Sequence, residues 1–248
     1  MVDYPYPMRP CVYGYPDATV SIALVGNSHA SQWLPTLQTL AEENHWKVTS
    51  FTANGCSPRS PPQPLPLGAA VQPCLAWGRN VQQATMGGAF DLVVFSDLTS
   101  VGNRGRTTPP EPPAFLAAKQ AGYETYLRTW AAGGTRVLVL RDTPFPRATG
   151  IFVPECLGSH DSSADCGGPR SAWLRPDPLF HAAQHIGSPT VTTADLTDVM
   201  CGGTWCSPVV GGAIVFFDGS HMTSTFAKTL APAVLPHIQD SLAGERKR

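Results

Sequence analysis

Short, continuously apolar runs alternate along this chain with segments of helical period, and that alternation constrains the fold more than any other feature. Val20 to Val25 reads Val-Ser-Ile-Ala-Leu-Val, Leu92 to Phe95 reads Leu-Val-Val-Phe, and Arg136 to Leu140 reads Arg-Val-Leu-Val-Leu. Strands without a polar face must be covered on both sides, as in a parallel sheet between two helical layers. Ser31 to Glu43 sets Leu34, Leu37, Leu40 and Ala41 at helical spacing. A second strand is expected over Lys47 to Phe51, ended by Asn54-Gly55. Further helices are expected over Cys74 to Ala84, Ala114 to Trp130, Pro178 to His185 and Thr223 to Leu242. An edge strand near Thr190 to Thr193 and a last strand over Ile214 to Phe217 complete the pattern. Residues 143–176, rich in Pro, Gly, Ser and Cys, read as an extended excursion. The expected fold is therefore an α/β domain, a doubly wound and mostly parallel sheet flanked by helices in three layers. Its expected bounds are a linker or N-terminal extension over 1–19, one domain over 20–243 and a basic tail over 244–248.

A chain of 248 residues, 42% of them hydrophobic, suffices for one such core. With 17 basic against 18 acidic side chains the net charge is −1, which excludes the basic footprint of a nucleic-acid binder. The longest apolar run, Val209 to Phe217, is broken by Gly211 and Gly212 and is far too short to cross a bilayer. The expectation is a soluble chain.

Seven cysteines stand at positions 11, 56, 74, 156, 166, 201 and 206. Neighbour pairing joins Cys56 with Cys74, Cys156 with Cys166, and Cys201 with Cys206, each closing a loop in a Pro/Gly-rich stretch. The alternative is zinc held by Cys201 and Cys206 with Cys156 and Cys166, although the tight Cys-x2-Cys spacing of common zinc modules is absent. Cys11 is left over. Disulfides imply an oxidising compartment, yet residues 1–20 lack a basic start followed by an apolar core. The expectation is a domain excised from a larger exported or membrane-anchored protein.

Ligands of doubly wound sheets sit beyond the carboxyl ends of the strands. There the first strand leads into Gly26-Asn27-Ser28-His29, which presents a serine on a tight strand-to-helix turn. The last expected strand leads into Asp218-Gly219-Ser220-His221, where an aspartate three residues before a histidine can orient it as a general base. Either segment alone is consistent with a turn and a cap. Together they supply a nucleophile, a base and an orienting acid to one cleft. Weaker candidates are His181 and His185, four apart on a helix, as metal ligands; His29 as an assistant to Ser28; Arg104 and Arg106 as contacts for an anionic glycan; and Trp33 and Trp77 as a sugar-binding wall.

The chain resembles the SGNH hydrolase superfamily, and within it the extracytoplasmic SGNH domains fused to acyltransferase family three membrane proteins. The residues that carry the resemblance are Gly26-Asn27-Ser28-His29-Ala30 followed by Gln32-Trp33, Asp218-Gly219-Ser220-His221-Met222-Thr223 before a terminal helix, and Cys56 with Cys74-Leu75-Ala76-Trp77. It extends from about Val20 to Pro232 and implies an SGNH/flavodoxin-like three-layer sandwich. It makes Ser28 the nucleophile, His221 the base and Asp218 its orienter, with Ser28 and Gly55 supplying oxyanion-hole N–H groups. The family's third block, Gly-x-Asn-Asp, is replaced by Phe95-Ser96-Asp97-Leu98-Thr99. Ser96, Thr99 or the more distant Asn103 is left as a substitute donor. Asn27 stands where the family has aspartate and is expected to shape the turn.

The activity implied is O-acyl transfer, usually of acetyl, through an acyl-enzyme to a hydroxyl of a cell-envelope glycan. Its partners are an acyl donor, a glycan acceptor and a membrane acyltransferase domain of the same parent polypeptide; no metal or organic cofactor is called for. With water as acceptor the same site is a carbohydrate esterase. With the third block lost, the alternative is a non-catalytic glycan-binding module.

Overall fold

The computed structural model describes residues 8–60, 72–98 and 111–244. Six strands form the central sheet: β1 (Cys11–Gly14), β2 (Val20–Gly26), β3 (Trp46–Thr52), β4 (Leu92–Ser96), β5 (Val137–Leu140) and β6 (Val191–Ala194), in the order β1-β3-β2-β4-β5-β6. All neighbours are parallel except β1, which pairs antiparallel with β3 (Cys11 opposite Ser50). The sheet thus reaches into the segment expected as a linker or extension.

The apolar strands are buried on both faces, as their sequences require. Ile22, Leu24, Leu92, Val94, Leu138 and Leu140 point into one core, where they meet α2 (Leu34–Asn44), α6 (Ser224–Thr229) and α7 (Ala231–Ala243). Ala23, Val25, Val93, Phe95, Val137 and Val139 point into the other, against α3 (Gln72–Thr85), α4 (Pro113–Ala132) and α5 (Pro178–Ile186). This alternation is the period of 2 of a strand. In the second core Phe95 packs edge-on to Trp130 and Tyr123, with ring centroids 5.5 and 6.1 Å away.

Two expectations change. The helix expected over Thr223 to Leu242 is split at Leu230 into α6 and α7. Ile214 to Phe217 is not a strand of the sheet. Ala213–Ile214 pairs with Val209–Val210 across the Gly211-Gly212 turn, and Phe216 bridges back to Met222. Val215 and Phe216 plug the first core, while Ile214 and Phe217 on either side of them are exposed. The sheet therefore ends at β6.

The excursion after β5 is ordered by short helical turns and by a two-residue ladder between Gly168–Pro169 and Trp205–Cys206. Disulfides join Cys56 to Cys74, Cys156 to Cys166 and Cys201 to Cys206, leaving Cys11 exposed and free on β1. These bonds occupy the sulfurs that the zinc alternative required. Among the described residues, no helix is long and apolar enough to cross a membrane.

Candidate active site

The site lies at the carboxyl end of β2, where the chain order reverses: β3 flanks β2 on one side and β4 on the other. Such a switch point is where open α/β sheets hold their ligands. Gly26 ends β2 with φ +142, and a Cβ there would lie 1.9 Å from the Ser96 carbonyl oxygen. Only glycine lets the chain turn this close to β4. Asn27 then caps the one-turn helix α1 (Ser28–Ser31), its side-chain oxygen accepting from the His29 N–H at 2.8 Å and the Leu98 N–H at 3.3 Å. It shapes the turn and ties it to the loop after β4.

Ser28 is half-buried, and its hydroxyl lies 3.0 Å from His221 Nε2. His221 Nδ1 lies 2.7 Å from Asp218 Oδ2. The other carboxylate oxygen accepts from the N–H groups of Ser220 at 2.6 Å and His221 at 2.7 Å. Burial alone would raise the Asp218 pKa, but the hydrogen bonds from His221 and Ser220 prevail and bring it down to about 2. All three sequence candidates therefore meet in one hydrogen-bonded chain, from segments 193 residues apart.

The Asp218–His221 segment is the tip of a hairpin, held by Phe217 N–H to His221 O at 3.0 Å and Thr223 N–H to Val215 O at 2.8 Å. From behind, Arg147 N–H donates to Gly219 O at 2.9 Å, so the excursion after β5 braces the histidine loop. Gln32 joins the two halves of the site: its side-chain oxygen accepts from Met222 N–H at 2.8 Å, and its amide lies 3.4 Å from Thr143 Oγ1.

A cleft of about 370 Å³ opens over the serine, lined by Ser28, Gln32, Pro35, Asn54, Phe217 and His221 among others. The Phe217 ring, more than half exposed, stacks beside His221 at 5.5 Å. Of the other expected oxyanion donors, Gly55 sits on an exposed turn with φ +73 next to Asn54, and Ser96 is fully buried at the end of β4. Neither belongs to the cleft lining. Sequence reasoning passed over Asn54, whose only signal is its place one residue before Gly55.

In place of the missing asparagine block, Asp97 is buried and occupied. It accepts from Tyr123 Oη at 2.6 Å, Ser57 Oγ at 3.1 Å and Leu98 N–H at 2.8 Å. Burial pushes its pKa up to about 6 against the pull of those side-chain hydrogen bonds and of Arg59 and Lys119. Asp97 serves as an anchor for the loop.

Of the weaker candidates, His29 is buried with Nδ1 2.6 Å from Asp142 Oδ1. Trp33 and Trp77 are buried in the two cores and cannot form a sugar-binding wall. His181 and His185 are exposed, His185 pairs with Glu124 at 2.8 Å, and the described residues gather no metal-ligand cluster around them. Thr99, Asn103, Arg104 and Arg106 lie outside the described residues.

Residues 2–236 match the family described as SGNH domain (fused to AT3 domains). Among solved structures, the chain is similar to the periplasmic domain of a lipopolysaccharide acetyltransferase from Salmonella ser. Paratyphi A. The TM-score is 0.58 at 11% identity, over 88% of this chain and 83% of that one, a likeness of fold. No curated protein matches the chain.

Proposed function

The chain belongs to the SGNH domains that are fused to AT3 domains, and from that membership we propose that it is a serine-dependent O-acyltransferase acting on hydroxyls of a cell-envelope glycan. The observation that carries the reading is the hydrogen-bonded chain from Ser28 Oγ through His221 to Asp218, at 3.0 and 2.7 Å. Ser28 Oγ attacks the carbonyl carbon of an acyl ester while His221 Nε2 takes its proton. The Ser28 N–H holds the tetrahedral oxyanion, with a second donor from the Asn54-Gly55 turn, which reaches the cleft through Asn54. His221 then returns the proton to the leaving oxygen, and an acyl-serine ester remains. In the second half, His221 deprotonates an acceptor hydroxyl, which attacks that ester and frees Ser28. Asp218 fixes the imidazole tautomer and stabilises the transient imidazolium.

Three disulfides support an extracytoplasmic location. The fusion in the family's description supports a membrane acyltransferase domain of the same polypeptide as the source of acyl groups. The structural neighbour, a domain of a lipopolysaccharide acetyltransferase, supports acetyl as the group. With water in place of the sugar hydroxyl the same residues make an esterase, which gives the first assay. Hydrolysis of p-nitrophenyl acetate is expected from the parent chain and to fall by about 10³-fold or more in both Ser28→Ala and His221→Ala. A serine-directed fluorophosphonate should label the parent but not Ser28→Ala. Equal background rates in all three proteins and no labelling would instead favour the glycan-binding module.

A further inference from the structure

Two consecutive phenylalanines part ways at the neck of the hairpin that carries His221. Phe216 is fully buried and packs edge-on to Trp173, with ring centroids 6.1 Å apart. Phe217 is 56% exposed and lines the cleft over Ser28. A single exposed apolar side chain needs no explanation, but this one is built into the site. Its N–H donates to the His221 carbonyl at 3.0 Å, which fixes its backbone in the hairpin. Its ring lies beside the imidazole, 5.5 Å between centroids and inclined by only 15°. Pro35 and Met222 line the same cleft, as do the polar residues Ser31 and Ser224. The wall sought in Trp33 and Trp77, which are buried in the two cores, is thus present in another residue.

We propose, on the acyl-transfer reading, that Phe217 is the platform for the glycan acceptor: a pyranose stacks on it by its C–H face, and a sugar ring is thereby selected over water or a flexible alcohol. A pyranose carries C–H bonds on its faces and hydroxyls around its rim. The C–H face displaces water from a flat aromatic surface, and the rim stays free for polar neighbours. A saturated ring laid against Phe217 lies within one ring width of His221. A rim hydroxyl then reaches Nε2 and the acyl group on Ser28, whose Oγ is 3.0 Å from that nitrogen. The hydroxyl oxygen attacks the acyl carbon as its proton passes to His221 Nε2; the bond to Ser28 Oγ breaks, and Oγ takes that proton back. An acetyl group is too small to need a wall of this size. A wall open to solvent suits a ligand that extends beyond a cleft of about 370 Å³, as a glycan chain does.

The test joins saturation-transfer NMR to acyl partitioning in the 248-residue chain. The probes are the methyl pyranosides of glucose, galactose, mannose and N-acetylglucosamine, with glycerol as the ringless control. Irradiation of the aromatic protons should saturate the ring C–H protons of at least one pyranoside and not those of glycerol. That signal should vanish in Phe217→Ala and persist in Phe217→Trp. Acetyl transfer from p-nitrophenyl acetate to the same pyranoside is read by mass spectrometry against release of free acetate. The ratio of transfer to hydrolysis should fall about tenfold in Phe217→Ala and in Phe217→Leu, which keeps apolar area without a flat ring, and hold in Phe217→Trp. Both fates drain one acyl-serine, so damage to its formation leaves the ratio unchanged. If Phe217 only covers His221, transfer and hydrolysis fall together. No saturated pyranoside in the parent, saturation that survives Phe217→Ala, or an unchanged ratio overturns the proposal. Absence of Ser28-dependent hydrolysis in the parent overturns the acyl-transfer reading instead, since the saturation measurement needs no turnover.

Discussion

Under the proposed mechanism the two nitrogens of His221 have different tasks, matched by the 2.7 Å contact at Nδ1 and the 3.0 Å contact at Nε2. Nδ1 is held at 2.7 Å by a carboxylate whose second oxygen is saturated by two N–H groups, so Asp218 cannot rotate away. With its pKa at about 2, Asp218 stays charged throughout the neutral range, and the acid limb of activity will not be its own. Asp218→Asn should preserve the fold and lower kcat by about 10³–10⁴-fold, because an amide can hold the wrong tautomer; thermal melts and steady-state kinetics check both halves. Asn54, next to Gly55, lines the cleft. If it helps to hold the oxyanion, Asn54→Ala should cost about 10–100-fold in kcat with little change in KM. Ser28, Asp218 and His221 were legible in the sequence because each lies in a local motif. Asp142 was not, since it sits 113 residues from the imidazole it holds, in a segment with no pattern of its own.

Between β2 and α1 the whole geometry depends on one missing side chain. A Cβ on Gly26 would lie 1.9 Å from the Ser96 carbonyl oxygen and 2.7 Å from Ala30 Cβ, at a φ that other residues avoid. Gly26→Ala should therefore cost more than about 2 kcal/mol in urea unfolding. It should also separate Ser28 from His221, so fluorophosphonate labelling falls in the protein that remains folded. The parallel strands and their helices were legible because a buried strand is apolar throughout and a flanking helix is apolar on one side; the antiparallel edge strand β1, in the segment expected as a linker or extension, was not. The hairpin under His221 was not. Ile214-Val215-Phe216-Phe217 has the composition of a central strand, and only tertiary pairing shows that its partner is Met222 and not β6. The misreading left the candidate residues intact because hairpin tip and strand end both deliver a loop to the same cleft.

For the molecule as a whole, titration adds a pH dependence to folding. Burial pushes the Asp177 pKa up to about 7, even with N–H groups of Asp142 and Phe180 donating to it, and Asp97 stands at about 6. Both exceed the ordinary aspartate value of about 3.9, so between those limits the folded chain binds more protons than the unfolded one. Stability then falls as pH rises from about 4 to 7, and His29, also raised, adds to the same trend. Urea midpoints are expected to be higher at pH 5 than at pH 7.5. Asp177→Asn should remove about 2–4 kcal/mol of that difference. The disulfide across the 18-residue separation from Cys56 to Cys74 should contribute about 3 kcal/mol, read from unfolding of the doubly substituted alanine variant.

Because the serine and its histidine are 193 residues apart, the order of synthesis bears on the chemistry. The hydroxyl leaves the ribosome long before the imidazole proposed as its base is made, and the two can meet only once the hairpin that carries His221 has been synthesised and docked. A nascent or misfolded chain is thus expected to carry an ordinary serine. Reactivity toward esters then reports completed folding, so a labelling reagent applied to a mixed population would count native molecules.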